Sequence, residues 1–379
     1  MKHSRASIKY MLVASVVCLM CVNAGMAQSC GTWTRVADGP GPIAGQPAAY
    51  HASKGYTIIY DVVPGCSVQH TWAWDGAQWL FLGASEWGCL SFGGLGYDER
   101  RDVTVLHGGS GGTFVSTDTL EWNGVKWEFA TTFVPPARAF HSIVYDAAIE
   151  RMVLYGGINS DGDVVYDDTW TWDGIDEWQQ VHPMTTPGGR TSHGMAYDAL
   201  RGETILFGGG NFGGLSEDTW AYDGLTWSKK AVAGPSPRGS HRMAYDSWRG
   251  LVMVFAGSAN NEPLNDLWEW DGMEWTEVPI PKALRPPERR AFAMAFDSKR
   301  GVLFIYGGQD KNNNVLSDAW EYTPCYPDCD RDCDLDVFDY LCFLDRFAEG
   351  SPYADFERDG DNDIFDFLAF LDEFVKGCG

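Results

Sequence analysis

Two aspartate-rich stretches near the C-terminus carry the most explicit chemistry in this chain. Asp328, Asp330, Asp332, Asp334 and Asp339 are followed 27 residues later by Asp355, Glu357, Asp359, Asp361 and Asp366. Both stretches place acidic side chains at positions 1, 3, 5, 7 and 12 of a twelve-residue loop, with a further one at position 9. A hard cation such as calcium takes about six to eight oxygen ligands from a flexible loop, and this spacing wraps the chain round one ion. The cofactor expected is therefore two calcium ions. Each loop runs into an apolar, helix-like stretch, Phe338 to Phe347 and Phe365 to Val375.

A second set of candidates is spread along the chain. Arg138, Arg190, Arg238 and Arg289 recur, and His141, His193 and His241 follow the first three of them by three residues. A ring of Arg and His at a channel mouth is one use for such a set. A residue demanded once per repeat more usually satisfies backbone carbonyls or packs between units, and Phe292 stands where the histidine would follow Arg289. The structural use is the one expected. No His pair has metal-ligand spacing, and no Ser/His/Asp or paired-carboxylate constellation assembles elsewhere.

These residues sit on a repeating frame. A Tyr-Asp or Phe-Asp landmark recurs at Tyr97, Tyr145, Tyr197, Tyr245 and Phe296, in steps of 48, 52, 48 and 51 residues, with a worn copy at Tyr50. A double glycine follows at Gly108-Gly109, Gly156-Gly157, Gly208-Gly209 and Gly307-Gly308, and becomes Ala256-Gly257 in the fifth unit. Each unit then closes on a Trp, a second aromatic, an Asp-Gly or Asn-Gly pair and another Trp, as in Trp170-Thr171-Trp172-Asp173-Gly174…Trp178. Self-similarity at such a period dictates the fold before any single residue does.

Physically each unit reads as four short strands. Ser142 to Tyr145 and Met152 to Tyr155 are β-branched and aromatic runs separated by a charged turn. The Asp-Gly and Asn-Gly pairs predict two-residue type I′ hairpins, with positive φ at both central residues. One four-stranded sheet cannot bury both faces, whereas six packed radially can, so the expected fold is an all-β, six-bladed β-propeller.

The hydrophobic strand, the Gly-Gly, the variable loop and the spaced aromatics resemble the kelch repeat, over roughly Cys30 to Tyr322. Kelch propellers commonly have six blades, which agrees with the count. The sixth unit stops at Trp320-Glu321-Tyr322-Thr323-Pro324, and Trp33-Thr34-Arg35-Val36 matches the missing Trp275-Thr276-Glu277-Val278 strand. The N-terminal strand is therefore expected to complete the last blade and close the ring.

Composition places the boundaries. Residues 1–27 read as a secretory signal peptide, with basic Lys2, Arg5 and Lys9, an apolar run from Met11 to Val22 and a small-residue cleavage site. The expected location is thus outside the cell or at its surface, after bacterial export, with no membrane span. The propeller is assigned to 28–324 and a small helical calcium-loop domain to 325–379. Formal net charge is −24, which argues against nucleic acid as a partner. The last 52 residues hold 16 Asp/Glu and 4 Lys/Arg, so a step in composition falls near Cys325. Eight cysteines lie beyond the signal segment, and two pairings have a positional argument: Cys30 with Cys325, which flank the closure strands, and Cys66 with Cys89, in adjacent blades.

The tail resembles a dockerin, and most closely the secreted bacterial variant ending in Gly-Cys, as Gly377-Cys378 does here. Asp at position 12, in place of the EF-hand Glu, is the shorter ligand that dockerin loops use. The sequence departs from the pattern at Cys333, where Gly is usual, and at Asn362, where an apolar residue normally packs inward. The resemblance implies two calcium-loaded halves that dock onto a cohesin-like receptor or another surface anchor.

Two functions follow from different classes. The favoured one is a secreted binding or scaffold protein that presents propeller loops to a protein or glycan and is tethered by its calcium tail. The alternative is an extracellular carbohydrate-active enzyme, like the kelch propellers that are sialic-acid mutarotases or galactose-oxidase-like copper enzymes. The short, polar loops after the double glycines suit contact better than enclosure.

Overall fold

The computed structural model describes residues 30–62, 69–85, 90–111, 114–131, 133–230 and 233–378. The signal segment, Cys66 and Cys89 lie outside the described residues. The chain divides into two compact units, Trp33–Thr323 and a second one holding Pro324–Gly379 with the residues up to Thr32.

The larger unit contains six four-stranded sheets, at 48–85, 94–129, 142–181, 194–230, 242–277 and 293–324, the last completed by Gly31–Asp38. These are blades 1 to 6. In blade 3, Ser142–Asp146 pairs antiparallel with Arg151–Tyr155, that strand with Thr169–Trp172, and Thr169–Trp172 with Gln179–Val181. Met152 to Tyr155 are all buried, because the second strand is covered by neighbouring blades on both faces. This is why it reads as an unbroken apolar run and not as an alternating one.

The first strands of successive blades touch one another, and Ala48–His51 meets both Gly94–Asp98 and Ala293–Asp297, so the ring is closed. Gly31–Asp38 is hydrogen-bonded beside Asp318–Pro324, as the missing strand of unit six required. Trp33 packs on Tyr322 at 5.3 Å and on Phe255 of blade 5 at 4.8 Å between ring centroids.

The tryptophans of the repeated phrase stitch blade to blade. Trp127, Trp178, Trp227 and Trp275 donate their indole N–H to Thr71, Thr119, Thr169 and Thr219 of the preceding blade, at 2.8 to 3.0 Å. Burying each of these rings with its N–H satisfied gives apolar packing and one fixed register together.

The hairpins at the Asp-Gly pairs differ from the expected two-residue turns. Trp74 pairs with Trp79 and Trp122 with Trp127, leaving four-residue loops. Only the glycines, such as Gly76 at φ 93° and Gly224 at φ 87°, take the left-handed region. The Asp or Asn side chain instead accepts two N–H groups, as Asp223 does from Leu225 at 2.9 Å and Thr226 at 2.8 Å. That side-chain cap replaces the second left-handed residue.

In the smaller unit, helix α1 spans Val337–Glu349 and helix α2 spans Ile364–Lys376. Both begin with the same device: Asp336 and Asp363 cap the helix, and Asp339 and Asp366 bond back to the cap N–H. Tyr340, Phe343, Phe367 and Phe370 form the core, with Phe343 and Phe370 stacked at 4.0 Å. Three disulfides join Cys30 to Cys333, Cys325 to Cys378 and Cys329 to Cys342. The Cys30–Cys325 pairing expected from position is therefore corrected. Cys333 brings its Cα within 4.5 Å of Cys30, and the C-terminal Cys378 comes within 5.1 Å of Cys325. Strand ends alone did not reveal how the acidic loop returns toward residue 30.

Candidate functional site

The recurrent arginines are clamps inside blades and do not line a channel mouth. Arg138 donates to both Asp168 oxygens at 2.7 and 2.9 Å, to the Gly156 carbonyl at 2.9 Å and to the Pro136 carbonyl at 3.1 Å. Arg190 with Asp218, Arg238 with Asp266, and Arg289 with Asp318 repeat the arrangement, each also reaching the carbonyl eighteen residues on. All four arginines are buried. Burial works to raise the four aspartates, and the paired guanidinium overrides it and holds each carboxyl below its ordinary value.

The same segment explains the double glycine. The second glycine donates its N–H to the next blade's clamp arginine, Gly157 to Arg190 O and Gly209 to Arg238 O, at 2.9 and 2.8 Å. The first lies against the next blade's histidine: a Cβ on Gly208 would sit 2.9 Å from His241 Cε1 and 2.8 Å from the Arg238 carbonyl. His141, His193 and His241 are thus wedges between blades. Burial, with the adjacent arginine adding to it, pushes His141 and His241 down to about 3 and His193 well below its ordinary value. They are neutral, enclosed and unsuited to proton exchange with a ligand.

The central channel is interrupted by a ring of backbone. Phe92 donates to Gly45 O, Phe140 to Phe92 O, Ser192 to Phe140 O, Ser240 to Ser192 O, Ala291 to Ser240 O and Gly45 to Ala291 O, at 2.7 to 2.9 Å. All six residues are left-handed, with φ between 53° and 84°. Beside the ring only about 20 Å³ of space is left, lined by His141, His193 and Arg242 among others. Arg242 donates from Nε to the Phe292 carbonyl at 2.9 Å, and burial pushes its guanidinium down to about 10. Sequence reading passed over Arg242. The signal was there, since the other inner strands begin on Ala48, Gly94, Ser142, Gly194 and Ala293.

Outside the ring a cleft of about 910 Å³ opens among the double-glycine loops. Phe92 and Phe140, stacked at 4.3 Å, lie at its floor, and exposed Phe212 stands among its walls. Asn211, Asn260, Asn261 and Gln309 bring carboxamides, and Arg290 is the one charged residue of the lining among the described residues. Arg290 is held by a hydrogen bond to Asn313 Oδ1. Two short hairpins, Gly210–Asn211 with Gly214–Leu215 and Ser258–Ala259 with Glu262–Pro263, stiffen the rim. Phe92 and Phe140 share one ring position, but Phe212 and Arg290 have no counterparts of the same type in the other blades, and nothing local in the sequence marked them.

The acidic loops of the tail share the same helix-capping and position-12 hydrogen bonds, while among the described residues only the first gathers three carboxylates. Asp328, Asp330 and Asp332 bring a carboxylate oxygen each within 4.8 Å of one another. Asp328 accepts from Cys333 N at 3.1 Å, and its other oxygen, Oδ1, is buried without a hydrogen-bond partner. Asp355 accepts from Asp359 N and Gly360 N at 3.1 and 3.0 Å in the second loop. Cys333 takes φ 69° where its counterpart Gly360 takes 95°, so the sharp turn at position 6 survives without glycine. Asn362 donates to the Ser351 carbonyl at 3.1 Å. Burial first, then the crowding of like charges, pushes Asp328 up to about 6 and Asp339 to about 7. The donor set is all oxygen, carries an orphaned buried carboxylate oxygen and fits a hard divalent cation. Asp334, Asp339, Glu357, Asp361 and Asp366 stand at the corresponding loop positions, with Asp339 and Asp366 each also accepting backbone N–H groups at 2.7 to 3.3 Å.

The comparisons with known proteins address the larger unit. The solved structure described as "Structure of YjhT" is similar over 76% of this chain and 97% of its own, with a TM-score of 0.61 at 14% identity, a likeness of fold. No curated protein matches the chain. The family model described as the KLHDC2/KLHL20/DRC7 Kelch-repeats domain matches residues 87–284, just over half of the sequence. With six four-stranded blades closed into a ring, the chain belongs to the Kelch-repeat family.

Proposed function

We propose that this is an exported binding protein, in which the propeller at 28–324 takes a protein or glycan and the domain at 325–379 anchors it through two calcium ions. The observation that carries the binding reading is the 910 Å³ cleft, within the size range of ligand sites and lined by aromatic faces, carboxamides and one cation. The repeated Arg and His residues are occupied by the scaffold, which leaves recognition to the non-repeated loops. Kelch propellers commonly act in protein interactions, and the cleft is built for contact.

Support for the anchor comes from duplication. Val337, Phe338 and Leu341 on α1 are exposed, and so are their counterparts Ile364, Phe365 and Leu368 on α2. A pair of equivalent apolar patches next to two cation loops is a surface suited to a cohesin-like receptor. Among the described residues no helix is long and apolar enough to cross a membrane.

Two measurements test this reading on the mature chain. Calorimetric titration with calcium is expected to give two binding events abolished by chelator, and a flat titration refutes the anchor. Glycan and peptide arrays probed with wild type and with Arg290→Ala test the cleft. Binding that weakens in the variant supports it, and binding indifferent to Arg290 refutes the assignment.

A further inference from the structure

The channel has a second mouth, on the other side of the backbone ring, with a different lining. We propose that this well binds a small organic cation of the quaternary-ammonium class. It is an open hollow of about 380 Å³, within the range of about 300–1,000 Å³ that small-molecule sites occupy. Its rim is the repeat landmark itself, one aromatic residue from each blade: Tyr97, Tyr197 and Tyr245 are partly exposed, and Tyr50, Tyr145 and Phe296 are buried behind them. Its floor is apolar, with Met195, Met243 and Met294 beside Leu95 and Ile143. Methionine thioethers adapt to the shape of a ligand, and aromatic faces attract a cation through their quadrupole.

Charge decides the class. Among the described residues, Glu99 is the only ionisable acid or base in the lining apart from the tyrosines. It is exposed, makes no ion pair among the described residues and stands close enough to Tyr145 and Tyr197 for its charge to bear on both hydroxyls. Four arginines of the neighbouring turns are engaged, Arg101 with Asp98, Arg201 with Asp198, Arg249 with Asp246 and Arg300 with Asp297, while Lys54 and Lys299 stand in these turns without an ion pair among the described residues and outside the lining. Arg242 lines the narrow space beside the ring and not this well. A chain of formal charge −24 draws cations toward it.

The rim is also set in place before any ligand arrives. The Tyr97 hydroxyl donates to Asp102 at 2.8 Å, and the Tyr245 hydroxyl accepts the Leu200 N–H at 2.9 Å. Aromatic faces held this way lose little freedom on binding, which favours a weakly hydrated cation over a flexible apolar chain.

The test uses the full mature chain, choline, and 3,3-dimethylbutan-1-ol as its uncharged isostere, by isothermal titration. Choline is expected to saturate, the alcohol to bind at least about tenfold more weakly, and Glu99→Gln to weaken choline by about fivefold or more. Glu99 is exposed, so this variant keeps its fold, and an unchanged melting temperature checks that it has. Tyr197→Leu is a second variant expected to weaken choline, read at an unchanged melting temperature. The proposal is overturned if choline fails to saturate by about 50 mM, if the alcohol binds equally well, or if Glu99→Gln leaves affinity unchanged.

Discussion

Gly45 donates its backbone N–H to the Ala291 carbonyl at 2.7 Å, and this one bond closes the ring of six that links every blade to the next. The ring demands a left-handed residue from each blade, and five of the six are not glycine. Each of those five stores strain of about 1 kcal/mol or more, offset by the inter-blade hydrogen bond it makes possible.

Gly45 is the position where this balance is tightest. A Cβ there would stand 2.4 Å from the Phe92 ring, at φ 84°. Gly45→Ala is expected to lose about 2–4 kcal/mol in a urea melt, through overpacking and strain together. Ser240→Gly, which relaxes the backbone at φ 55° but loosens the unfolded chain, should shift stability by less than about 1 kcal/mol.

The wedge histidines make stability depend on pH with a definite sign. Their folded values lie below the ordinary imidazole value of about 6.5. The unfolded chain therefore binds more protons below that pH, and stability present above it is lost as pH falls toward the folded values. Melting temperature should be flat above pH ~7 and fall steadily below ~6.5. His241→Phe, which copies the residue at Phe292, should give a shallower fall across that window, at the expense of the hydrogen bond His241 Nε2 accepts from Gly194 N.

How much of this could be read from the sequence depends on what repeats. Tyr145, Gly156-Gly157, Arg138 and Trp178 recur because each blade meets the same neighbours, so period and pattern gave six blades and the role of Trp33. Asp173-Gly174 misled because the pair serves two turn geometries, and the side-chain cap is invisible in the spacing. Cys30 with Cys333 depends on how the acidic loop returns, which no strand pattern encodes. Arg290 and Phe212 lie on loops, where neither residue type recurs from blade to blade, so the period says nothing about them. Arg242 stood out only by breaking a run of small residues.

The Arg238–Asp266 clamp predicts an asymmetric mutational response. Arg238→Met leaves Asp266 in a largely buried site without its partner and should lose about 3 kcal/mol. Adding Asp266→Leu removes the stranded charge, so the double variant is expected to recover part of that loss. A double-mutant cycle by denaturant melts measures the coupling. Additive losses would show that the clamp's contribution comes from the Ala256 and Ser236 carbonyl contacts instead.

The two classes of aspartate in the tail loops separate ligation from folding. Asp339 accepts N–H groups from Cys329 and Asp336 at 2.7 and 2.9 Å, so it shapes the loop whether or not a cation is bound. Asp332 is exposed, and its carboxylate accepts the Asp334 N–H at 2.9 Å and lies beside the Asp328 and Asp330 carboxylates. Asp332→Asn is therefore expected to reduce calcium affinity at the first loop by about tenfold while leaving helical content without calcium unchanged. Asp339→Asn should lower both. Calcium at about a hundred times its dissociation constant should raise the stability of the tail by about 2.7 kcal/mol, an increment that shrinks in both variants. Circular dichroism melts with calcium and with chelator read the two effects apart. A first-loop affinity indifferent to Asp332 would remove it from the ligand set.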